Sequence, residues 1–171
     1  MFSFLCIVIG LLSVGIPPVY AQNQGTSDTV KPLTYQEYHD FASGFNHQKY
    51  TIDMVEFQEL SSQKGTVILD LRPISSYDLG HVKGALHLGA DITEEKIHSL
   101  VPDQDKTLIL YCDNSLFPTR MMSLTDVALP QLHQLGYTHT YKLGAAWVDG
   151  DTMLSIEEVK AALGFWYPDN K

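Results

Sequence analysis

Two short apolar segments, each followed directly by polar residues, constrain the fold of this chain more than any other feature of its sequence. Residues 66–71 and 107–112 are almost continuously apolar and have the length of single strands. Strands of this kind carry apolar side chains on both faces and are buried between two layers, as in parallel sheets. The two segments therefore predict buried strands, one ending near Asp70 and the other at Cys112.

Segments with helical patterns alternate with these strands. The patterns begin at Thr34, Asp53, Thr93, Ser123 and Ser155. Weaker strand patterns lie at 85–88 and 138–143, and Pro130 predicts a kink or a break in the helix over 123–135. Strands that alternate with helices need crossover connections. The sequence thus predicts an α/β fold, a mostly parallel central sheet with helices on both faces.

The first residues have the character of a secretion signal. Residues 1–21 contain no Asp, Glu, Lys or Arg, are apolar from Phe4 to Val14, and end in a small residue, Ala21. A membrane anchor that ends at Pro17-Pro18 and stays uncleaved is the alternative, but the apolar run is short for a spanning helix. We therefore expect a cleaved signal peptide over 1–21 and an exported protein, periplasmic or secreted.

The rest of the chain is long enough for one domain. Residues 22–32 are polar and lack apolar periodicity, which predicts a flexible linker before a domain over 33–171. The chain has 20 acidic and 11 basic side chains, a formal net charge of -9. That charge disfavours nucleic acid and anionic membrane surfaces as partners. No membrane association is expected once the signal is cleaved.

Cys112 is the only thiol expected in the mature chain, because Cys6 lies within the signal segment. In an oxidising compartment, a lone cysteine is either buried and inert or kept for its reactivity. Cys112 ends a strand and opens a polar loop, at the edge where ligand sites of parallel sheets lie. These features favour a reactive cysteine. The histidines show no metal-ligand spacing, so neither a metal nor a cofactor is expected.

Four stretches in this order resemble the rhodanese family. They are Leu69-Asp70-Leu71-Arg72 with Tyr77; Gly80-His81-Val82-Lys83-Gly84-Ala85; Leu110-Tyr111-Cys112 leading to Arg120; and Leu135-Gly136-Tyr137 through Leu143-Gly144-Ala145-Ala146-Trp147. Together they span roughly residues 53–147, the expected core of the domain. The resemblance implies a small α/β domain whose cysteine ends a buried strand and opens a loop that runs into a helix. Members of the family transfer sulfur through a cysteine persulfide.

The loop of this chain departs from the family pattern. Seven residues separate Cys112 from Arg120, which is longer than the usual rhodanese or phosphatase loop. The apolar residues Leu116-Phe117-Pro118 stand where a small polar cradle is expected, and Asp113 places a negative charge beside the thiol. A phosphate monoester carries about two negative charges and suits such a loop poorly. Sulfur transfer is therefore favoured.

The site residues fall into two groups. We expect Cys112 to be the nucleophile, with contacts to the substrate from Asn114, Ser115, Thr119 and Arg120. For Arg120, the role of a substrate contact has the same weight as a surface position or an ion pair with Asp113. The residues expected to brace the loops around the site are Asp70, Arg72 and His81. The expected partners are a small sulfur-containing or anionic donor and a protein acceptor.

Three functions remain open from the sequence. The first is a sulfurtransferase that holds a sulfane sulfur as a persulfide on Cys112. The second is a binding module without catalysis, in which Leu116-Phe117-Pro118 docks a partner or a small apolar ligand. The third and least favoured is thiol-based phosphatase or arsenate reductase chemistry, because no compact cradle and no resolving cysteine are present.

Overall fold

A computed structural model describes residues 43–119 and 122–168, all within the unit formed by residues 33–171. The predicted signal segment 1–21, the linker 22–32 and the start of the helix predicted from Thr34 lie outside the described residues. Arg120 also lies outside them. In the described part of the chain, no helix has both the length and the apolar character needed to cross a membrane.

Five parallel strands form the central sheet. The strands of the described chain are β1 Thr51–Ile52, β2 Val67–Asp70, β3 His81–Val82, β4 Leu86–His87, β5 Leu108–Tyr111, β6 Thr140–Leu143, β7 Val148–Asp149, β8 Thr152–Met153 and β9 Phe165–Trp166. The order in the central sheet is β1-β6-β5-β2-β4. At its centre, Leu69 of β2 pairs with Leu110 of β5 on one side and with Leu86 of β4 on the other. The carboxyl ends of β2 and β5 therefore lie at the same edge.

Helices connect the strands and are fixed by local capping. They are α1 Met54–Ser61, α2 Ile74–Leu79, α3 Glu94–Leu100, α4 Asp113–Leu116, α5 Leu124–Gln134 and α6 Ile156–Ala162, with a 3₁₀ helix at His47–Tyr50. The capping boxes predicted from Asp53 and Ser155 are confirmed at the starts of α1 and α6. In α1, Asp53 Oδ1 accepts from the Glu56 N–H at 2.8 Å, and this satisfies a backbone donor that the helix leaves free.

The sheet separates two apolar cores. Alternate residues of each strand point to opposite faces, so β5 contributes to both. One core combines the sheet residues Ile68, Ile109 and Tyr111 with Phe57 of α1 and Val159 of α6. The other combines Leu69, Leu108 and Leu110 with Ile97 of α3 and Leu129 and Leu132 of α5. The predicted α/β fold, with a parallel sheet covered on both faces, is confirmed.

One local prediction needs correction, and the edge strand of the central sheet was not predicted. The break that the sequence allowed at Pro130 does not occur, since α5 continues through this residue and buries it. The missing N–H of Pro130 removes one helical hydrogen bond, and packing of the buried α5 residues against the sheet offsets that loss. The edge strand β1 at Thr51–Ile52 was not predicted, since two residues are too few for a strand pattern.

The segment after the central sheet returns to the edge that carries the strand ends. There β9 pairs antiparallel with β3, which places Phe165 opposite Val82. Gly80 and Tyr167 lie so close together that a Cβ atom added to Gly80 would be 2.6 Å from Tyr167 Cδ1. Helix α6 and strand β9 are therefore integral to the fold.

Candidate active site

Cys112 lies directly after β5, at the point where the chain turns into the single-turn helix α4. It is 1% exposed, and its backbone N–H donates to Ser115 Oγ at 3.4 Å. Its Sγ atom is 3.5 Å from Ser123 Oγ. The thiol is therefore held between the start of α4 and the start of α5.

The loop that carries Cys112 is fixed to the end of β6. The Ser115 hydroxyl donates to the Leu143 carbonyl at 2.8 Å, and the Ser115 carbonyl accepts from the Ala146 N–H at 3.0 Å. Trp147 Nε1 donates to the Asn114 carbonyl at 3.1 Å. These three bonds hold residues 114 and 115 against the end of β6 and the segment that follows it.

Ser115 takes a different role from the predicted substrate contact. Its side chain is buried and its hydroxyl is already bonded to the Cys112 N–H and to the Leu143 carbonyl. A buried hydroxyl with such partners orders the loop. The sequence suggested a substrate contact because it showed a polar loop and not the helical turn that points Ser115 inward.

The Ser123 hydroxyl beside the sulfur, and the Thr125 hydroxyl bonded to it, were missed from the sequence. Ser123 Oγ lies between Cys112 Sγ and Thr125 Oγ1, at 3.5 Å from the first and 2.8 Å from the second. Thr125 is buried. Ser123 precedes helix α5 as its N-cap residue. A serine before a helical pattern is recognisable in sequence, but its distance from Cys112 depends on how α5 packs on the sheet.

A cavity of about 390 Å³ opens onto Cys112. Its lining residues are Pro73, Cys112, Asp113, Asn114, Phe117, Thr119, Met122 and Leu124. Of the predicted substrate contacts, Asn114 and Thr119 thus lie at the cavity. Phe117 and Met122 are 40% and 47% exposed, so their side chains form part of its rim.

Leu116 does not belong to the apolar loop tip that the sequence suggested. It is 1% exposed and packs in the core that contains Tyr111 and Val159. Phe117 and Pro118 are exposed. The helical turn α4 explains the difference, since it directs consecutive side chains to different sides. Only Phe117 of the three predicted residues lines the cavity.

Asp113 lies between this cavity and a second one. The second cavity, of about 350 Å³, is lined by Arg72, Asp113, Phe117, Lys160 and Tyr167 among others. Burial raises the pKa of Asp113, the charge of Arg72 opposes the rise, and the charge of Asp70 adds to it. The carboxyl group next to Cys112 therefore holds its proton more strongly than an exposed aspartate does.

Asp70 and Arg72 form a buried ion pair at the end of β2. Arg72 Nη2 donates to Asp70 Oδ2 at 2.6 Å and to the Gly80 carbonyl at 2.7 Å, and Tyr111 Oη donates to Asp70 Oδ2 at 2.5 Å. Burial alone lowers the pKa of Arg72, but the hydrogen bond and charge of Asp70 outweigh burial and raise it. The Phe165 ring lies 5.3 Å from Arg72 Cζ. This network joins β2, β5 and the β3–β9 pair.

His81 stacks on an aromatic ring beside this network. Its ring lies 3.8 Å from that of Tyr77 with parallel planes, and Nδ1 is 2.9 Å from the Tyr77 carbonyl. Trp166 lies on its other side at 5.2 Å. These contacts order the turn between α2 and β3, and no contact from His81 to Cys112 is among the described interactions.

The predicted site residues thus divide by position. Cys112, Asn114 and Thr119 meet at one cavity, whereas Arg72 lines the neighbouring cavity and Asp70 lies beneath it in the core. Across residues 43–119 and 122–168, no group of three or more His, Cys, Asp or Glu side chains has a metal-binding arrangement.

Comparison with solved structures found several chains to which this chain is similar. A crystal structure of the Alr3790 protein from Anabaena sp. is 25% identical; the match covers 56% of this chain and 83% of that chain, with a TM-score of 0.45. Protein hp1203 from Helicobacter pylori is 19% identical, with 72% and 94% covered and a TM-score of 0.44. The 3-mercaptopyruvate sulfotransferase SseA from Escherichia coli is 20% identical, with 62% and 51% covered and a TM-score of 0.43.

Comparison with curated proteins found no match. The family model of the rhodanese-like domain matches residues 53–146, which is more than half of the chain. The matched range begins at the N-cap of α1 and ends just after β6, so it contains the Cys112 loop and every strand of the central sheet except the edge strand β1. The chain belongs to the family of rhodanese-like domains.

Proposed function

We propose that this protein is a sulfurtransferase that carries sulfane sulfur as a persulfide on Cys112. The observation that carries the proposal is the position of Cys112, at the carboxyl end of a central parallel strand and among the residues that line a cavity of small-molecule size. Ligand sites of open α/β sheets lie at this edge. Cys112 is the nucleophile among the residues that line the cavity.

The reaction needs only thiolate chemistry. The Cys112 thiolate attacks the sulfane sulfur of the donor, a new S–S bond forms, and the donor's S–S bond breaks with its electron pair on the leaving group. A nucleophilic acceptor then attacks the outer sulfur and releases the Cys112 thiolate. Each step is an exchange between sulfur atoms, so no external oxidant or reductant takes part.

The surroundings of the sulfur suit this exchange. The Ser123 hydroxyl lies 3.5 Å from Sγ and is able to donate to the thiolate when its own oxygen accepts from Thr125. The loop that carries Cys112 turns into α4 directly after β5. The bonds of Ser115 and Trp147 keep this loop ordered.

Mass spectrometry of the intact full-length protein tests the proposal. Reduced protein is incubated with a sulfane-sulfur donor, and we expect a gain of one sulfur atom. Cys112→Ala abolishes the gain, whereas Cys6→Ala, which removes the other cysteine of the chain, retains it. Sulfur uptake that persists in Cys112→Ala, or no uptake by a thiol shown to be reduced, contradicts the proposal.

A binding module without catalysis is the second candidate, and the exposed rim of the cavity favours it. Phe117 and Met122 are large apolar side chains with 40% and 47% of their surface exposed beside the cavity. Such exposure is typical of contact surfaces. The mass measurement separates the two functions, since a module of this kind gains no sulfur.

A further inference from the structure

We propose that the sulfur substrate of Cys112 is an organic persulfide or thiosulfonate whose apolar carbon group packs against Phe117, Met122 and Leu124, in preference to inorganic thiosulfate. This inference rests on the proposed sulfurtransferase function and specifies its substrate class. The sulfur atoms of the substrate lie at Cys112, and its carbon group extends toward the rim of the cavity.

The size of the cavity supports an organic substrate. At about 390 Å³ it falls in the range of about 300–1,000 Å³ that small organic ligands occupy. Thiosulfate has too few atoms to fill such a space or to touch its rim. A substrate with a carbon group fills the space beyond the sulfur and removes apolar surface from water.

The side chains that line the cavity support an apolar group. Pro73, Phe117, Met122 and Leu124 line the same cavity as Cys112. Phe117 and Met122 both have large exposed apolar areas. Covering an apolar side chain contributes roughly 25 cal/mol per Å² of buried surface. Binding of a carbon group at this rim is therefore favourable.

The charge at the cavity disfavours a dianion. Among the described residues that line the cavity, Asp113 is the one with a charged side chain, and the chain carries a formal net charge of -9. A carboxylate beside the sulfur repels thiosulfate, which carries two negative charges, more than it repels a monoanion. The cations Arg72 and Lys160 line the neighbouring cavity, where Arg72 is already paired with Asp70.

The chemistry balances for each substrate. With a hydropersulfide, the Cys112 thiolate attacks the terminal sulfur, the S–S bond breaks, and a thiolate leaves. With a thiosulfonate, the thiolate attacks the sulfane sulfur and a sulfinate leaves with the bonding electron pair. In both cases Cys112 gains one sulfur atom as a persulfide.

Three donors with graded apolar groups test the inference on the full-length protein. They are thiosulfate, methanethiosulfonate and benzenethiosulfonate, and the last two share the same reactive group and charge. The measurement is the rate constant for persulfide formation on Cys112 divided by the apparent dissociation constant. We expect benzenethiosulfonate to exceed methanethiosulfonate by about tenfold or more, the scale of discrimination in apolar pockets.

Matched variants locate the discrimination. Phe117→Ala and Met122→Ala should each reduce the preference for the benzene compound by about threefold or more. Met153→Ala is the control, because Met153 is an exposed methionine of strand β8 outside the residues that line the cavity, with 66% exposure. It should leave the preference unchanged.

The outcomes separate the two proposals. If no donor places sulfur on Cys112, the sulfurtransferase function fails and the substrate class fails with it. If thiosulfate reacts as well as benzenethiosulfonate, or if the preference survives in both cavity variants, sulfur transfer stands and the apolar substrate class is wrong. Thiosulfate preference that is lost in Arg120→Ala would assign the specificity to that residue instead.

Discussion

Replacement of Tyr111 by phenylalanine probes the buried network next to the loop that carries Cys112. The Tyr111 hydroxyl donates to Asp70 Oδ2 at 2.5 Å and accepts from the Val82 N–H at 3.2 Å. A hydrogen bond to a charged group contributes about 1.5–3 kcal/mol, and a stranded buried N–H costs about 1 kcal/mol more. We therefore expect Tyr111→Phe to lower the free energy of unfolding by about 3 kcal/mol.

Tyr137 provides a matched control. It is also fully buried, and its hydroxyl donates to the neutral Val101 carbonyl at 2.7 Å. Loss of a neutral bond costs about 1 kcal/mol, so Tyr137→Phe should destabilise by about a third as much. At about 4 °C per kcal/mol for a domain of this size, the expected falls in Tm are about 12 °C and about 4 °C.

Urea denaturation at pH 8, followed by tryptophan fluorescence, measures both costs. A double-mutant cycle with Asp70→Asn then isolates the charged partner, and the cost of Tyr111→Phe should shrink in that background. Equal costs for the two tyrosines, or a cost of Tyr111→Phe that is independent of Asp70, would refute the reasoning.

The stability cost of Tyr111→Phe depends on pH. Burial raises the pKa of Tyr111, and the charge of Asp70 raises it further. The folded protein therefore holds the phenol proton more strongly than the unfolded chain, and this contribution is present below the unfolded pKa of about 10. This stabilising contribution is lost as the pH rises from the unfolded pKa through the raised pKa of the folded protein. The difference between wild type and Tyr111→Phe should thus narrow above about pH 10.

Three further changes have expected outcomes. Gly80→Ala places a Cβ 2.6 Å from Tyr167 Cδ1 and should lower Tm in calorimetry by separating β9 from β3; an unchanged Tm contradicts this contact. Asp113→Asn removes a half-buried carboxylate whose pKa burial raises, so urea unfolding should show a gain in stability at pH 7 that disappears below about pH 4. Ser115→Ala removes the bond to the Leu143 carbonyl and should cost about 1–3 kcal/mol in urea unfolding; a smaller cost would mean that the loop is held elsewhere.

The central strands are predictable from sequence because local composition determines them. Strands β2 and β5 are continuous apolar runs, and burial on both faces is the physical reason for that pattern. The caps of α1 and α6 are equally local, since each depends on residues three positions apart. The position of Cys112 is predictable for the same reason, because a polar loop after a buried strand lies at the carboxyl edge of the sheet.

The remaining features depend on contacts between distant segments. The short distance from Cys112 to Ser123 arises from the packing of α5, and the bond from Tyr111 to Asp70 arises from the register of β2 with β5. No local pattern encodes either. Leu116 and Ser115 were misplaced because a single helical turn is too short to produce a periodic pattern.

The pairing of β3 with β9 forms late during synthesis, because the two strands are far apart in the sequence. A ribosome makes Val82 long before Phe165, so the edge of β3 stays open while the rest of the sheet is available to form. During that interval the pair of Asp70 and Arg72 lacks the Phe165 ring that packs against it. Open strand edges on unfinished chains are sites of misassembly. A chain cut just after the family-matched region therefore contains every strand of the central sheet and yet exposes the edge that the last strand protects.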